Sequence, residues 1–492
     1  MNATVSAGAP AIPLSTAALS RGTKLWYALG QLGEGIKNES FAYFAVFYYT
    51  NVLDLPGTLA GLAVFISMIV DAVVDPLMGV ISDRTHSRLG RRHPWIFASA
   101  LPLALSLYLV FAPPAGLAHG ALFAWLLGWM LVNRFSLTMF HVPYLSLGAE
   151  LTRDWNERTV LVSLRFSFAQ LARLFPAVVG LAWLFRSTAE HGEGRLYAAA
   201  YPQYAAISAA CVLLAIFASG WMTRDRIPLL APPDPGASQH GVLQTLYRDL
   251  WAALRQRAFR AVFLGIAIAS IASGTTITLG LHTGTFFWDV TPQIMSYWGA
   301  VSIVSIIAGL AFWTRRAATR DKGAVFSEGL LGYVAIHTAV WTLATVGIWP
   351  ERSHPTYVPL YLIGTGFVAP FAVASTFAMG QSMMADCADA DELASGRRRE
   401  GVYFGAASLA LKLTYGGGAW LAGILVDLVG VRGIHSIAQV TPEMRMHLGL
   451  AMNLSVLVLI GVSWLAFRQY DLTRGRVSEI QAQLEAKRAA RS

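Results

Sequence analysis

Apolar runs of about 20 residues or more recur from one end of the chain to the other, and short polar stretches separate them. That alternation predicts twelve membrane-spanning helices. Six lie at 25–50, 58–83, 94–113, 120–147, 159–185 and 198–222. A polar, proline-bearing stretch (RDRIPLLAPPDPGASQHG, 224–241) follows, and six more lie at 259–288, 292–314, 325–349, 356–384, 402–429 and 446–469. The chain so divides into a tail (1–24), a six-helix half (25–222), a connector (223–258), a second six-helix half (259–470) and a second tail (471–492). The opening twenty residues hold no Lys or Arg and no strong apolar core, so they read as a disordered tail rather than a signal peptide. In the closing tail Val477, Ile480 and Leu484 recur at helical spacing, which predicts a short surface helix.

Composition sharpens the class. Of the 492 residues 55% are hydrophobic and 13% charged, where a soluble protein carries about 25% charged residues. The formal charge of +9 invites a nucleic-acid partner, but the basic residues sit in short loops between apolar runs, where they orient a membrane protein instead. Arg84, Arg88, Arg91, Arg92, Arg315, Arg316, Arg320, Lys322, Arg397 to Arg399 and the basic tail fall on one side. The other side holds Arg186, Arg195, Arg352, Arg432 and Arg445. That bias puts both termini in the cytoplasm. With only Cys211 and Cys387, neither a disulfide framework nor a CxxC metal site is available. The absence of GxxxxGK[ST], HExxH and serine-elbow motifs argues against an ATP-driven pump and against an integral-membrane enzyme. Two six-helix halves joined by a connector form a transporter arrangement, with the substrate site near the midplane.

Charge inside the spans points to that site. Lys37, Arg134, Arg165, Arg173 and Lys412 fall within spans, with Glu34, Glu39, Asp71 and Asp75 at comparable depth. The stretch DAVVDPLMGVISDRTHSRLGRRHPW (Asp71 to Trp95) is the densest. Helix rise puts Asp75 about 12 Å and Asp71 about 18 Å above the span end near Asp83. Four residues apart, the two carboxylates share a helix face and can act on one object. An ionised carboxylate in hydrocarbon costs several kcal/mol unless it is paired, hydrated or holding a cation. Structural ion pairs are the plainer account, yet buried pairs stabilise poorly compared with apolar packing. Asp75 precedes Pro76 and so could cap a restarted helix, which leaves Asp71 unexplained. The pair suits a small cation, Na⁺ or H⁺, and would be the metal ligand set if the ion is Na⁺. Lys412 could stand in for the cation when the site is empty. His141, beside Pro143, adds a group that titrates near neutrality, with a satisfied polar residue as its alternative role.

The string DxxxDPxxGxxSDRTxSRxGRRxPW resembles the glycoside–pentoside–hexuronide:cation symporter family of the major facilitator superfamily, typified by the melibiose permease. Five other stretches agree in order and spacing: TKLWYALGQLG with FYYTNVL, HVPYLSLGAELTRDWNERT, Arg165 in VSLRFSFAQLA, MMADCADADELASGRRREG, and Lys412 in SLALKLTYGGGAW. The resemblance implies uphill sugar entry coupled to Na⁺, H⁺ or Li⁺. It implies Asp71 and Asp75 as cation-site carboxylates, Thr138 as the span-4 hydroxyl beside them, Lys412 as the nearby span-11 lysine, and Arg165 as a sugar-contacting arginine. This chain also departs from the family pattern. The span-1 Asp that grips sugar in the melibiose permease is Gly35 here, with Glu34 just before it. The span-4 Asp shared by both sites is His141, and the sugar-stacking Trp is Leu145. Glu34 and His141 are therefore candidate substrate contacts, though one residue along a helix turns a side chain by about 100°. Lys37 and Arg134 add positive charge in the same half, which suits an anionic substrate such as a uronide, or partners for Glu34 and Glu39.

At the cytoplasmic exit of span 2, Asp83, Arg84, Arg91 and Arg92 resemble the superfamily's inner gate, whose charge pairs form in one state and break in another. Asp386, Asp389, Asp391 and Glu392, followed by Arg397, Arg398 and Arg399, are the second-half counterpart; a solvated charged loop is the plainer account. Gly416, Gly417 and Gly418 fit close helix packing. The sequence thus describes an all-α integral membrane protein of the major facilitator fold in a bacterial inner membrane. It is expected to act as a monomer, without a cofactor beyond the coupling ion (H⁺ or Na⁺), in symport of a sugar, glycoside or uronide. The same architecture resembles vertebrate lysolipid carriers, so an amphipathic lipid is the rival substrate. A uniporter with structural charges, or a sensor that binds sugar without moving it, would also fit this pattern of residues.

Overall fold

The computed structural model describes residues 19–152, 154–190, 192–230, 251, 253–396 and 400–489. Most of the expected N-terminal tail, most of the connector, and Arg398 with its two neighbours lie outside the described residues. Twelve long helices follow one another. They are α1 (Arg21–Ser40, prolonged by π-helical turns Phe41–Ala45 and Tyr48–Val52), α2 (Gly57–Asp83), α3 (His93–Val110), α4 (His119–Glu150), α5 (Trp155–Leu184) and α6 (Ala200–Met222). The second set is α7 (Arg257–Phe287), α8 (Pro292–Ala317), α9 (Lys322–Thr345), α10 (Tyr357–Ser395), α11 (Glu400–Val429) and α12 (Pro442–Phe467). Among the described residues ten, α2 to α10 and α12, are long and apolar enough to cross a membrane. Lys24, Glu34, Lys37 and Glu39 make α1 the more polar one. The tail forms α13 (Arg474–Ala489), but not as a free surface helix. Ile480 and Leu484 are buried against α10, and Arg488 donates to Glu392 at 3.0–3.1 Å.

Packing repeats between the halves. Helix α1 packs on α5 and α6 as α7 packs on α11 and α12. The pairs α2–α4, α3–α4 and α3–α6 recur as α8–α10, α9–α10 and α9–α12. Across the halves α2 packs on α11, and α5 packs on α8 in the same relation. The duplication reaches the backbone of the turns. Leu53 N–H donates to the Tyr48 carbonyl and Leu55 N–H to that of Tyr49, while Trp288 and Val290 make the same bonds to Thr283 and Gly284. Each turn passes through an aspartate at positive φ, Asp54 at 56° and Asp289 at 47°, a conformation Asp tolerates better than most side chains.

The halves are tied together at the end where α1 finishes and α2 begins, called the far end below. Asn51 Nδ2 donates to the Val431 carbonyl (2.6 Å), Gly433 N–H to that of Thr50 (3.0 Å), and Arg195 Nη2 to that of Val290 (2.7 Å). The Asp427 carboxylate of α11 accepts three bonds from Gly57 and Thr58 of α2. Close approach there requires glycine. A β-carbon on Gly57 would strike the Gly423 carbonyl, and one on Gly423 the Gly57 carbonyl. Lower in α11, Gly416 faces Met68 of α2 and Gly418 faces Ile271 and Gly274 of α7, so the glycine run wedges α11 between the two. Gly423→Leu is therefore expected to hold the α2–α11 seam apart and to lower transport at least about tenfold at unchanged expression. Uptake by purified protein at matched density checks it, and a fully active variant would show that this seam need not close.

Candidate cation and substrate site

Three helices build the cation cluster midway along the bundle. Asp71 and Asp75 stand one turn apart on α2, Arg134 and Thr138 one turn apart on α4, and Lys412 comes across from α11 in the other half. Thr138 Oγ1 lies 2.9 Å from Asp71 Oδ1 and 2.8 Å from Asp75 Oδ1. Lys412 Nζ is 2.9 Å from Asp71 Oδ2 and also pairs with Asp75 Oδ2. Arg134 Nη1 stands 3.9 Å from Asp71, which is only 3% exposed. Helix α2 runs unbroken past Pro76, so Asp75 does not cap a restarted helix; its carboxylate faces Thr138 and Lys412 instead. Thr138 has one proton to give. It can donate to one carboxylate at a time, and the second contact is satisfied when that carboxyl itself carries a proton.

A second cluster sits beside the first, toward α1 and α5. His141 Nδ1 is 2.9 Å from Glu34 Oε2, so the structure turns His141 to Glu34 rather than to Asp75. Arg165 approaches the Tyr27 hydroxyl and lies within electrostatic reach of Glu34. Lys37 is fully buried, and Nζ reaches only the Asn38 side chain (3.2 Å) and the Phe41 ring (5.1 Å to its centre). Among the described residues no carboxylate lies within ion-pair distance of Lys37. Arg173 pairs with Glu39 at 3.2 Å. A β-carbon at Gly35 would strike Ala172 of α5, so that position is a packing contact and cannot hold a sugar-gripping carboxylate in this chain. Leaving out the Glu39–Arg173 pair, three carboxyl groups (Glu34, Asp71, Asp75) stand with Arg134, Arg165 and Lys412, while the amine of Lys37 is buried beside them without a carboxylate partner. Sequence reasoning missed Tyr27 and Tyr144, whose stacked rings (4.6 Å) each donate to the other's carbonyl and fix α1 against α4. Both tyrosines lie in the family-like stretches LWYALGQLG and HVPYLSLGAE, the one signal available.

Asp83, Arg91 and Arg92 pair within the first half, and Asp386 and Asp389 within the second. Arg92 bonds Asp83 (2.5 Å), Ser82 (2.7 Å) and Glu150 (2.9 Å), and Arg91 bonds Glu150 at 2.9 Å and stands 4.0 Å from the Asp83 carboxylate. Glu150, the last residue of α4, is the hub that sequence reasoning passed over. Arg84 is the residue that closes α2. In the second half Asp386 accepts from Lys322 (2.7 Å), and Asp389 from Gln481 of α13 (3.4 Å).

Two pseudo-equivalent six-helix halves, with buried charge where they meet, define a secondary transporter of the major facilitator class. The chain belongs to the family described as MFS/sugar transport protein, whose model matches residues 26–474, and within it to the melibiose-permease-like symporters. The inner membrane symporter YicJ of Escherichia coli is 23% identical over 95% of each chain. The glucuronide carrier protein homolog of the same organism is 23% identical, covering 95% of this chain and 96% of its own. The sodium-dependent lysophosphatidylcholine symporter 1-A of Danio rerio is 30% identical over 34% of this chain and 30% of its own. A crystal structure of a bacterial homolog of the human lysosomal transporter Spinster, inward-facing and unoccupied, matches with a TM-score of 0.60 at 15% identity. It covers 91% of this chain and 96% of that one, and shares the fold. The chain is an integral membrane transporter of a small molecule, and not an enzyme.

Proposed function

We propose that the chain is a cation-coupled symporter of a sugar, glycoside or uronide. It works by alternating access, as a monomer in a bacterial inner membrane with both termini cytoplasmic. The observation that carries this reading is Lys412, a residue of one half, seated between the two carboxylates of the other. A coupling ion, H⁺ or Na⁺, that takes Asp71 and Asp75 releases that tether. It therefore binds the two conformations of the α2–α11 seam with different affinity, which is the requirement for an ion to drive a conformational change. Glu34, His141, Arg165 and Lys37 hold the substrate. The guanidinium of Arg165 beside Glu34 and His141 suits a sugar that brings its own carboxylate, and the likeness to a glucuronide carrier homolog supports the same class. The match to the fish lysophosphatidylcholine symporter keeps an amphipathic lipid as the second reading.

Purified protein in proteoliposomes, under an imposed H⁺ or Na⁺ gradient, tests this with labelled glycosides, uronides and lysolipids. Accumulation of a sugar under one gradient, abolished by the matching ionophore, is the expected result. Uptake indifferent to both gradients would sink the coupling, and uptake of lysolipid alone would sink the sugar.

A further inference from the structure

One further contact ties the halves at the far end, and it is made by a titratable ring. His282, at the end of α7 in the second half, sets Nε2 3.0 Å from the Thr50 hydroxyl, at the end of α1 in the first. Both residues are completely buried. The Phe47 ring stands edge-on to the imidazole at 4.9 Å between centres, and Phe286 lies one turn further along α7 at 6.5 Å. Nδ1 turns toward the Thr278 carbonyl one turn back and completes no hydrogen bond with it.

The charged and titratable groups of the surrounding elements are engaged elsewhere. Asp54, between α1 and α2, pairs with Arg432 (3.4 Å), and Asp427 of α11 bonds the start of α2. Asp289 pairs with Arg352, and Arg445 of α12 donates to the Phe287 carbonyl (3.0 Å). Glu443 and His447 of α12 are exposed. Tyr49 donates to the Val110 carbonyl, and Tyr48 stacks on Tyr201. Among the described residues no carboxylate stands within ion-pair distance of the imidazole. A proton added to the closed seam would therefore create a buried charge without a counter-charge. Once the halves part, Thr50 and His282 separate with them and water reaches both ring nitrogens. The imidazole then takes a proton as a hydrated histidine does, near pH 6.5. A ligand that binds one form better draws the equilibrium toward that form, and here the ligand is H⁺.

We propose that His282 is a proton-binding site of the far-end gate: neutral while it joins Thr50 across the seam, it takes a proton from the medium when the halves part, so that acid favours the far-end-open form. That proton arrives and leaves on the same side of the membrane. It is distinct from the coupling ion at Asp71 and Asp75, and it sets how often the far end opens. The inference rests on the alternating-access reading and is indifferent to the substrate.

Two variants that cannot titrate supply the test. His282→Gln keeps an amide able to bond Thr50, and His282→Phe keeps a ring against Phe47. Cys211 and Cys387 are replaced by Ser, and Ala419→Cys, buried in the α2–α11 seam, reports opening by its alkylation with a maleimide. Rates are measured on protein in lipid nanodiscs at about pH 7.5 and about pH 5.5. Taking the rate relative to a variant at the same pH cancels the reagent's own pH dependence. On acidification the rate of the His282 protein is expected to rise roughly tenfold relative to either variant, the factor gained by an open form that titrates near 6.5. The two variants should agree, so either carries the test if the other fails to fold. An unchanged ratio, or alkylation that slows in acid relative to the variants, overturns the proton site and leaves alternating access standing. A cysteine that stays unreactive in every protein at both pH values overturns the opening of the far end, and the proton site with it.

Discussion

Asp71→Asn is expected to abolish gradient-driven accumulation and to destabilise the protein, because it strips the cation cluster of its most buried carboxylate. In the native cluster Asp71 meets Lys412 at 2.9 Å, Thr138 at 2.9 Å and Arg134 at 3.9 Å. With an amide in its place Lys412 keeps Asp75, but Arg134, itself buried, loses the one carboxylate near it. Removing one member of a buried pair costs about 3–5 kcal/mol, mostly from the charge left behind. If the same carboxylate holds the coupling ion, ion affinity falls by a similar amount, a factor of roughly 10² to 10⁴. Stability and coupling then have to be separated. Arg134→Gln in the Asp71→Asn background removes the stranded cation along with the missing anion. The double variant should recover part of the melting temperature, with a coupling energy of about 1–3 kcal/mol, and none of the gradient-driven uptake. Recovery of uptake together with stability would mean that the carboxylate is structural and that the ion binds elsewhere. Asp75→Asn should cost less stability, since Asp75 is more exposed and Arg134 is not its close partner.

How much of this was legible in the sequence depends on where the information sits along the chain. The twelve helices follow from local apolar runs, and the Asp71–Asp75 pair from a four-residue spacing on one helix. Arg165 and Lys412 stand out as charges inside spans, while Thr138 is singled out only by the family resemblance. Glu150 was not legible because an acidic residue at a helix end has many uses. It becomes the hub of Asp83, Arg91 and Arg92 only once α4 stands beside α2. The Glu34–His141 contact replaces the aspartates of the family pattern, and no spacing rule predicts it, since it depends on how α1 rotates against α4. Gly35 makes the same point in reverse: its small size looks like a lost carboxylate in the sequence and is a packing contact with Ala172 in the fold. The Thr50–His282 contact was invisible for a related reason. Its two sides come from different halves of the chain, and a lone buried histidine reads as a satisfied polar residue.

Asp427 shows what such a distributed contact can do, and replacing it by Ala is expected to loosen the far end. Helix α2 begins at Pro56, which has no side-chain acceptor to cap the first backbone N–H groups. Its pseudo-equivalent α8 is capped locally by Thr291. The missing cap of α2 comes from the other half, where the Asp427 carboxylate accepts from Gly57 N–H (2.7 Å), Thr58 N–H (2.8 Å) and the Thr58 hydroxyl (2.7 Å). A local requirement of one helix is thereby met only while the halves are closed at this end. Loss of a cap of this kind costs about 2 kcal/mol, which shifts the equilibrium toward the far-end-open state by about 30-fold. Ala419→Cys reports it: Ala419 is buried in the seam against Gly61, and Cys211 and Cys387 are first replaced by Ser. Alkylation of that cysteine by a membrane-impermeant maleimide should quicken about 30-fold in Asp427→Ala. Asp427→Asn, which keeps an acceptor oxygen but not the charge, should fall in between. Pro56→Ser supplies a cap within α2 itself, and in that background Asp427→Ala should have a smaller effect. Equal alkylation rates in all five proteins would show that the seam is held by its glycine packing alone.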